Sequence, residues 1–369
     1  MHMPRQKEIL SNWSGISLLG MFMMGTSIIT MAGKDAGMDV LLALPMAAVA
    51  NILLAFMYTR ILTLYPGKSM MDLQEMIFGK LSKLFYLLTV WIALHVATMT
   101  LILFGEFIQV VSLPETPRYF ICGFIAALAI WLVKDGLEVM GRWAGFAFPV
   151  FLLIITGVSL LSIEDIRLDT LGPFLSKGLH PLLTGTFPLI ALGLAFFTEV
   201  FNHLGNSRKT FRVFLFGILL TTFSLFFVYL RNISVLGMSF TQSLYFPSYA
   251  AVGIINIGNF LQRIEVAVSV NFILVGFIRL SICLYVASKG ISRLFGFQDH
   301  RAITAPVAFL VMAFTLFAFR NIVELSEWVN STYPYYRVPF LFFLPLVTWV
   351  AGEIKARKDR RKATLPPAL

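Results

Sequence analysis

His95, Glu106, Glu199, Arg263, Glu265 and Arg279 lie in or at the ends of long apolar runs. A charged side chain near the centre of a bilayer costs about 2.5–3.5 kcal/mol on insertion scales, so such groups turn toward protein or water. They mark either a path for ions and small polar molecules or ion pairs that tie helix ends together. Glu106 and Glu265 are expected toward one side of the membrane, Glu199 and Arg279 toward the other. His95, about two turns in from the end of its run, reads equally as a hydrogen-bonded packing residue or as a proton carrier. The sequence holds no pair of histidines at zinc-binding helical spacing, no Gly-Lys loop to cradle phosphate and no nucleophile elbow. No catalytic residue, metal site or cofactor is therefore expected, nor an ATP-driven pump.

A second kind of chemistry needs no charged side chain. Where a membrane-crossing helix is broken, its freed N–H and C=O groups hold polar ligands, and the N-terminus of the following half-helix favours a carboxylate. Gly25-Thr26-Ser27 lies near the middle of an early apolar run that also contains Gly15 and Gly20, with Gly33 just beyond. A later run carries Gly185, Pro188 and Gly193 around its middle. Pro188 removes one backbone donor and prevents a regular helix at that turn. Glycines in membrane helices also serve simply to let neighbours approach. The coincidence of two interrupted runs tips the balance toward a ligand site.

The elements that must position these groups are membrane spans. Hydrophobic residues make up 58% of the 369 positions and charged residues 13%, against roughly 25% charged in a soluble domain. A bilayer core about 30 Å thick needs roughly 20 apolar residues per helix. The apolar runs define ten spans at approximately 13–32, 39–62, 84–112, 118–134, 143–163, 183–200, 211–232, 264–287, 303–320 and 336–353. The stretch 233–262 is apolar but broken by Gly237, Pro247, Gly253 and Gly258, and reads as a loop or re-entrant pair of short helices. No room is left for a separate soluble domain. Arg5 and Lys7 precede the first run, but no small-residue cleavage site follows, so it is expected to stay as a span.

Lysine and arginine positions set the topology. With ten spans and the N-terminus inside, 20 of the 29 basic residues fall on the cytoplasmic side and 8 on the other, with Arg279 left within a span. That asymmetry is the positive-inside rule, and it puts both termini in the cytoplasm. Six basic residues in the tail 354–369 supply much of the +10 net charge; beside a final span they suit anionic lipid headgroups, not nucleic acid. Cys122 and Cys283 lie inside apolar runs and read as small apolar filler.

Met24-Gly25-Thr26-Ser27-Ile28-Ile29, the stretch from Phe187-Pro188 to Glu199, and Arg263-Ile264-Glu265 leading to Phe277-Ile278-Arg279-Leu280-Ser281 resemble the GerAB-type spore germination permeases. The similarity spans nearly the whole chain. It implies membership of the amino acid–polyamine–organocation superfamily and an all-α membrane protein with a LeuT-like five-plus-five inverted repeat. Spans 1 and 6 would be broken, with 13–163 and 183–353 as the two repeats of one membrane domain. It implies a germinant receptor B subunit in the inner membrane of a bacterial endospore, sensing a small nutrient such as an amino acid beside an A subunit and a lipoprotein C subunit. Phe196-Phe197-Thr198 stands where permeases of the superfamily are commonly Gly-rich, and would narrow the pocket or form a gate.

The expected site follows from both readings. Gly25, Thr26 and Ser27 meet a carboxylate, Gly193 lets the span 6 backbone approach, and Thr98 and Phe196 line the side-chain end. Glu199, Glu265 and Arg279 act as gating or structural charges. The rival function is an H⁺- or Na⁺-coupled amino acid transporter, for which Ser269 is the available hydroxyl in span 8.

Overall fold

The computed structural model describes residues 8–205, 209–254 and 265–364, and among them it is a bundle of helices. The long helices are α1 (Asn12–Thr30), α2 (Val40–Leu64), α4 (Ser82–Val111), α5 (Arg118–Asp135) and α6 (Leu137–Leu161). They continue with α8 (Thr210–Leu236), α11 (Glu265–Phe295), α12 (His300–Phe317) and α15 (Leu344–Thr364). Shorter pieces are α3 (Met70–Phe78), α7 (Leu179–Leu189), α9 (Met238–Ser243), α10 (Pro247–Gly253), α13 (Ile322–Glu327) and α14 (Tyr333–Tyr336). Leu53, Phe124, Phe146 and Phe317 point outward and are more than two-thirds exposed. In water such a surface would aggregate; against lipid chains it is neutral.

Nine stretches among the described residues are long and apolar enough to cross a membrane. The expected span 118–134 is the helix α5, which stands outside those nine. It is 18 residues long and carries Arg118 at its start and Lys134 and Asp135 at its end. Its middle is apolar, but its ends reach the polar zones with no residue to spare.

Two faces of the bundle are fixed by polar contacts between helix ends. On the face bearing the N-terminus, Leu10 N–H donates to His203 O at 2.9 Å, Arg60 pairs with Glu353 at 2.5 Å and Arg301 pairs with Glu8. On the far face Lys34 Nζ donates to Leu244 O at 2.5 Å, Leu175 N–H to Asp39 Oδ1 at 2.7 Å, and Arg118 pairs with Glu106. Successive long helices alternate between these faces. The described part of the apolar loop, α9 and α10, lies on the far face against α8, α11 and the turn Lys34–Asp39. Its remainder, with Gly258 and Arg263, falls outside the described residues.

α4 and α11 cross at the centre, where a Cβ on Gly276 would overlap the buried Phe104 ring. A Cβ on Gly20 would lie 2.6 Å from the Phe148 ring of α6, and one on Gly15 2.9 Å from Val213 of α8. These glycines serve close approach.

The two interrupted runs fold differently. α1 is helical through Gly25-Thr26-Ser27, and Met31 N–H still reaches Ser27 O at 3.0 Å. A glycine lowers helix propensity by about 1 kcal/mol but removes no donor, so neighbours can hold the helix intact. Span 6 does break: α7 ends at Leu189, Ile190 and Ala191 leave helical geometry, and a tight turn Leu192–Thr198 follows. Proline alone is not the cause, because Pro45, Pro149 and Pro306 sit inside unbroken helices. What distinguishes Pro188 is the set of partners waiting for the freed backbone.

Candidate functional site

Those partners are Asn51 and Arg337. Asn51, on α2 and 2% exposed, accepts from Ala191 N–H at 2.7 Å and donates to Leu189 O at 3.5 Å. Arg337, just after α14 and 8% exposed, donates from Nη2 to Phe187 O at 2.9 Å and to Pro188 O at 3.2 Å. An unpaired buried amide costs about 1–3 kcal/mol, so these contacts are what allow the break to exist in an apolar surrounding.

The break opens one wall of a central cavity of about 70 Å³. Thr26, Ser27 and Thr30 of α1 face it, with Asn51, Ala191 and Gly193 on the span 6 side. Arg279 of α11 enters beside α1; its Nη1 donates to Phe22 O at 2.9 Å, and its guanidinium carbon lies 4.8 Å from the Phe22 ring centre. Arg337 lies over Tyr333 at 5.2 Å, and both line the same space. No aspartate or glutamate is among the lining residues. A second chamber of about 40 Å³ shares Thr26, Thr30, Arg279, Asn330 and Tyr333 and extends toward Lys34 and Tyr245 on the far face.

Toward the N-terminal face the cavity is sealed twice. Phe22 forms an aromatic floor, edge-on to Phe196 at 6.1 Å and to Phe197 at 5.4 Å, with Phe201 tilted against Phe197 and edge-on to Phe214 beneath. Below that lies an ion-pair layer. Glu199 is fully buried, pairs with Lys289 Nζ at 2.9 Å and accepts from Met71 N–H at 2.8 Å. Arg293, one turn further along α11, pairs with Asp72 at 2.5 Å. Beside this layer, outside the spans, burial and the neighbouring Lys289 charge hold the His203 imidazole below its usual pKa.

The expected site residues divide accordingly. Thr26, Ser27, Gly193 and Arg279 line one cavity. Gly25 stands behind it, where a Cβ would lie 2.6 Å from Arg279 Cδ; its smallness lets the arginine lie across α1. Thr98 faces elsewhere, into a lateral opening of about 540 Å³ beside His95 and Trp328, and its hydroxyl donates to Leu94 O at 2.9 Å. On α4 it is Val96 that reaches the central cavity. Phe196 supports the floor from behind and does not line it. Glu199 belongs to the ion-pair layer, and Glu265 opens α11 at the far face, away from the cavity. Arg279 lies at cavity depth, not toward the N-terminal side as expected from its place in the run. His95 accepts from Trp328 Nε1 at 3.2 Å within an aromatic cluster, the packing alternative. Ser269 donates to Glu265 O at 3.0 Å and is not among the cavity residues.

Sequence reading missed Asn51 and Arg337. Asn51 is a lone amide in the middle of an apolar run, a signal in itself. Arg337 follows Tyr333-Pro334-Tyr335-Tyr336 at the edge of a run, where nothing in the sequence marks it as a cavity residue.

A family model described as spore germination protein matches residues 10–322. Spore germination protein KB of Bacillus subtilis (strain 168) is 26% identical over 350 residues, covering 93% of this chain and 94% of that protein. Spore germination protein A2 of the same organism is 22% identical over 358 residues, covering 94% and 96%. Among solved structures, Mhp1, a nucleobase-cation-symport-1 family transporter in a closed conformation with bromovinylhydantoin bound, superposes with a TM-score of 0.67 at 13% identity, covering 95% of this chain and 91% of that one. MhsT in complex with L-phenylalanine gives 0.68 at 11% identity, covering 95% and 99%. These likenesses establish the LeuT-like transporter fold.

Proposed function

The chain belongs to the family of spore germination proteins, and from that premise we propose that it is the B subunit of a germinant receptor in the inner membrane of a bacterial endospore. It binds a small nutrient such as an amino acid in the central cavity and acts with an A subunit and a lipoprotein C subunit. Both termini lie in the cytoplasm, and the two five-span halves 13–163 and 183–353 form one membrane domain. Supporting this reading are relatives named for spore germination and a transporter fold.

The observation that carries the receptor reading is the asymmetry of the seals. The cavity continues toward the far face through a second small chamber, while the other side is closed by an aromatic floor and a buried ion pair. A nutrient arriving from the far face meets Thr26, Arg279 and the span 6 backbone without needing to pass the Glu199–Lys289 layer. Binding that favours one arrangement of α1 against span 6 shifts the population of that state, which partner subunits then read.

Gly193 gives the test. A Cβ there would lie 2.7 Å from Phe22 Cε1, so Gly193→Leu drives a side chain into the floor of the cavity. Spores carrying Gly193→Leu at normal abundance are expected to need at least about tenfold more nutrient to germinate, equivalent to 1.4 kcal/mol of lost binding. An unchanged dose response would place the ligand elsewhere. The second reading, an ion-coupled amino acid transporter, is favoured by the fold of Mhp1 and MhsT. Ion-dependent uptake of labelled amino acid into proteoliposomes holding this chain alone would decide for it; saturable binding without uptake decides for the receptor.

A further inference from the structure

We infer that the central cavity takes a small dicarboxylic acid, with Arg279 and Arg337 each receiving one carboxylate. This rests on the reading that the ligand occupies this cavity, and it narrows the ligand's charge.

The two guanidiniums lack what other cations in the bundle have. Lys289 is matched by Glu199, Arg118 by Glu106 and Arg293 by Asp72. Arg279 and Arg337 are held by backbone carbonyls, and among the described residues no carboxylate pairs with either. The Nε of each is buried without a hydrogen-bond partner among those residues. A guanidinium has five N–H donors in a planar fork that suits a carboxylate two bonds at a time. The carbonyl contacts leave part of each fork unused. Both guanidiniums border the same small cavity, whose lining holds no carboxylate, so two like charges face one space and a doubly negative guest relieves them.

Arg231 shows that burial alone does not make such a site. It too is buried with its Nε unpartnered, but its Nη2 bonds Asn232 Oδ1 at 2.8 Å and the space beside it is about 10 Å³, too small for a guest. Arg279 and Arg337 share about 70 Å³, and Arg279 also lines the neighbouring chamber of about 40 Å³. The neutral lining suits the rest of the ligand. Thr26, Ser27 and Thr30 supply hydroxyls and Asn330 an amide, and no acidic side chain in the lining competes for the arginines. Arg337 also lies beyond residues 10–322, so the family match does not bear on it.

Equilibrium binding of radiolabelled succinate and L-glutamate to the full chain in lipid nanodiscs tests this. Saturable binding of at least one is expected, with L-alanine, D-glucose and monomethyl succinate competing at least about tenfold less well. Arg279→Gln is expected to weaken binding at least about tenfold and Arg279→Lys by less, while Thr98→Val, outside the cavity, leaves it unchanged. Arg337 also holds span 6, so the monomethyl succinate comparison, which alters no residue, guards against misfolded variants. If L-alanine binds, Gly193→Leu blocks it and the dicarboxylates do not compete, the cavity stands and the dicarboxylate inference fails. If dicarboxylates bind equally well to Gly193→Leu and Arg279→Gln, the site lies elsewhere and both readings fail. If none of these ligands binds the wild-type chain, the dicarboxylate inference is likewise overturned.

Discussion

Replacing Glu199 by alanine is expected to destabilise the folded chain by about 3–5 kcal/mol, the range for removing one partner of a buried ion pair. The carboxylate is fully buried and the Lys289 side chain only 14% exposed, so the variant strands an ammonium under the aromatic floor. It also deprives Met71 N–H, in the first turn of α3, of its 2.8 Å acceptor. Thermal unfolding in detergent should show the largest loss for Glu199→Ala and a similar one for Lys289→Ala. The double variant Glu199→Leu with Lys289→Met should recover much of the loss, because an apolar pair removes both charges together. Two single losses that simply add in the double variant would mean that the ion pair is not what joins span 6 to α11.

Asn51→Leu is expected to have the next largest effect. Leucine fills the volume, but it leaves Ala191 N–H and Leu189 O buried without their partner, at about 1–3 kcal/mol for each orphaned group. Either the bundle loses that stability or span 6 tightens toward a continuous helix and closes the cavity wall. Both outcomes lower ligand affinity. Asn51→Asp keeps the acceptor for Ala191 N–H, the shorter of the two contacts, and is expected to retain more binding than leucine. Equal affinity for Asn51→Leu and the wild type would show that the break is held by Arg337 and chain geometry alone.

The spans were legible because lipid imposes one strong rule, an apolar run long enough to cross. The rule weakened where a span is barely long enough, as with α5 and its terminal charges. It also gave no warning that the glycines of α1 leave the helix whole, because whether a helix breaks depends on partners drawn from elsewhere in the chain. Span 6 shows the same point from the other side. Pro188 signalled a break, but Asn51 lies 138 residues before its acceptor Leu189, and Arg337 lies 149 residues after Pro188. Local sequence shows which backbone groups lose their bonds, not which side chains replace them.

Charges were the hardest to place. Glu106 pairs with Arg118, one of the two roles that the sequence leaves open for it. In the sequence Arg279 lies within an apolar run and Arg337 at the edge of one, yet both turn into the cavity. Among the described residues no carboxylate pairs with either; Arg337 meets carbonyls at the span 6 break, and Arg279 bonds Phe22 O of the intact α1. Thr98 illustrates the limit of spacing arguments: two residues along α4 separate it from Val96, and that rotation carries it from the central cavity to the lateral one.

The central claim is that a small nutrient occupies the space between α1 and the broken span 6. Thr26→Cys puts a thiol on that wall, in a chain whose own Cys122 and Cys283 are buried and give little background. The measurement is the alkylation rate of this thiol by a small reagent in nanodiscs, with and without a millimolar pool of amino acids and small dicarboxylic acids. The pool is expected to slow alkylation severalfold, and Gly193→Leu to abolish the protection. A rate that the pool leaves unchanged, in protein that binds one of its components, would contradict the central claim.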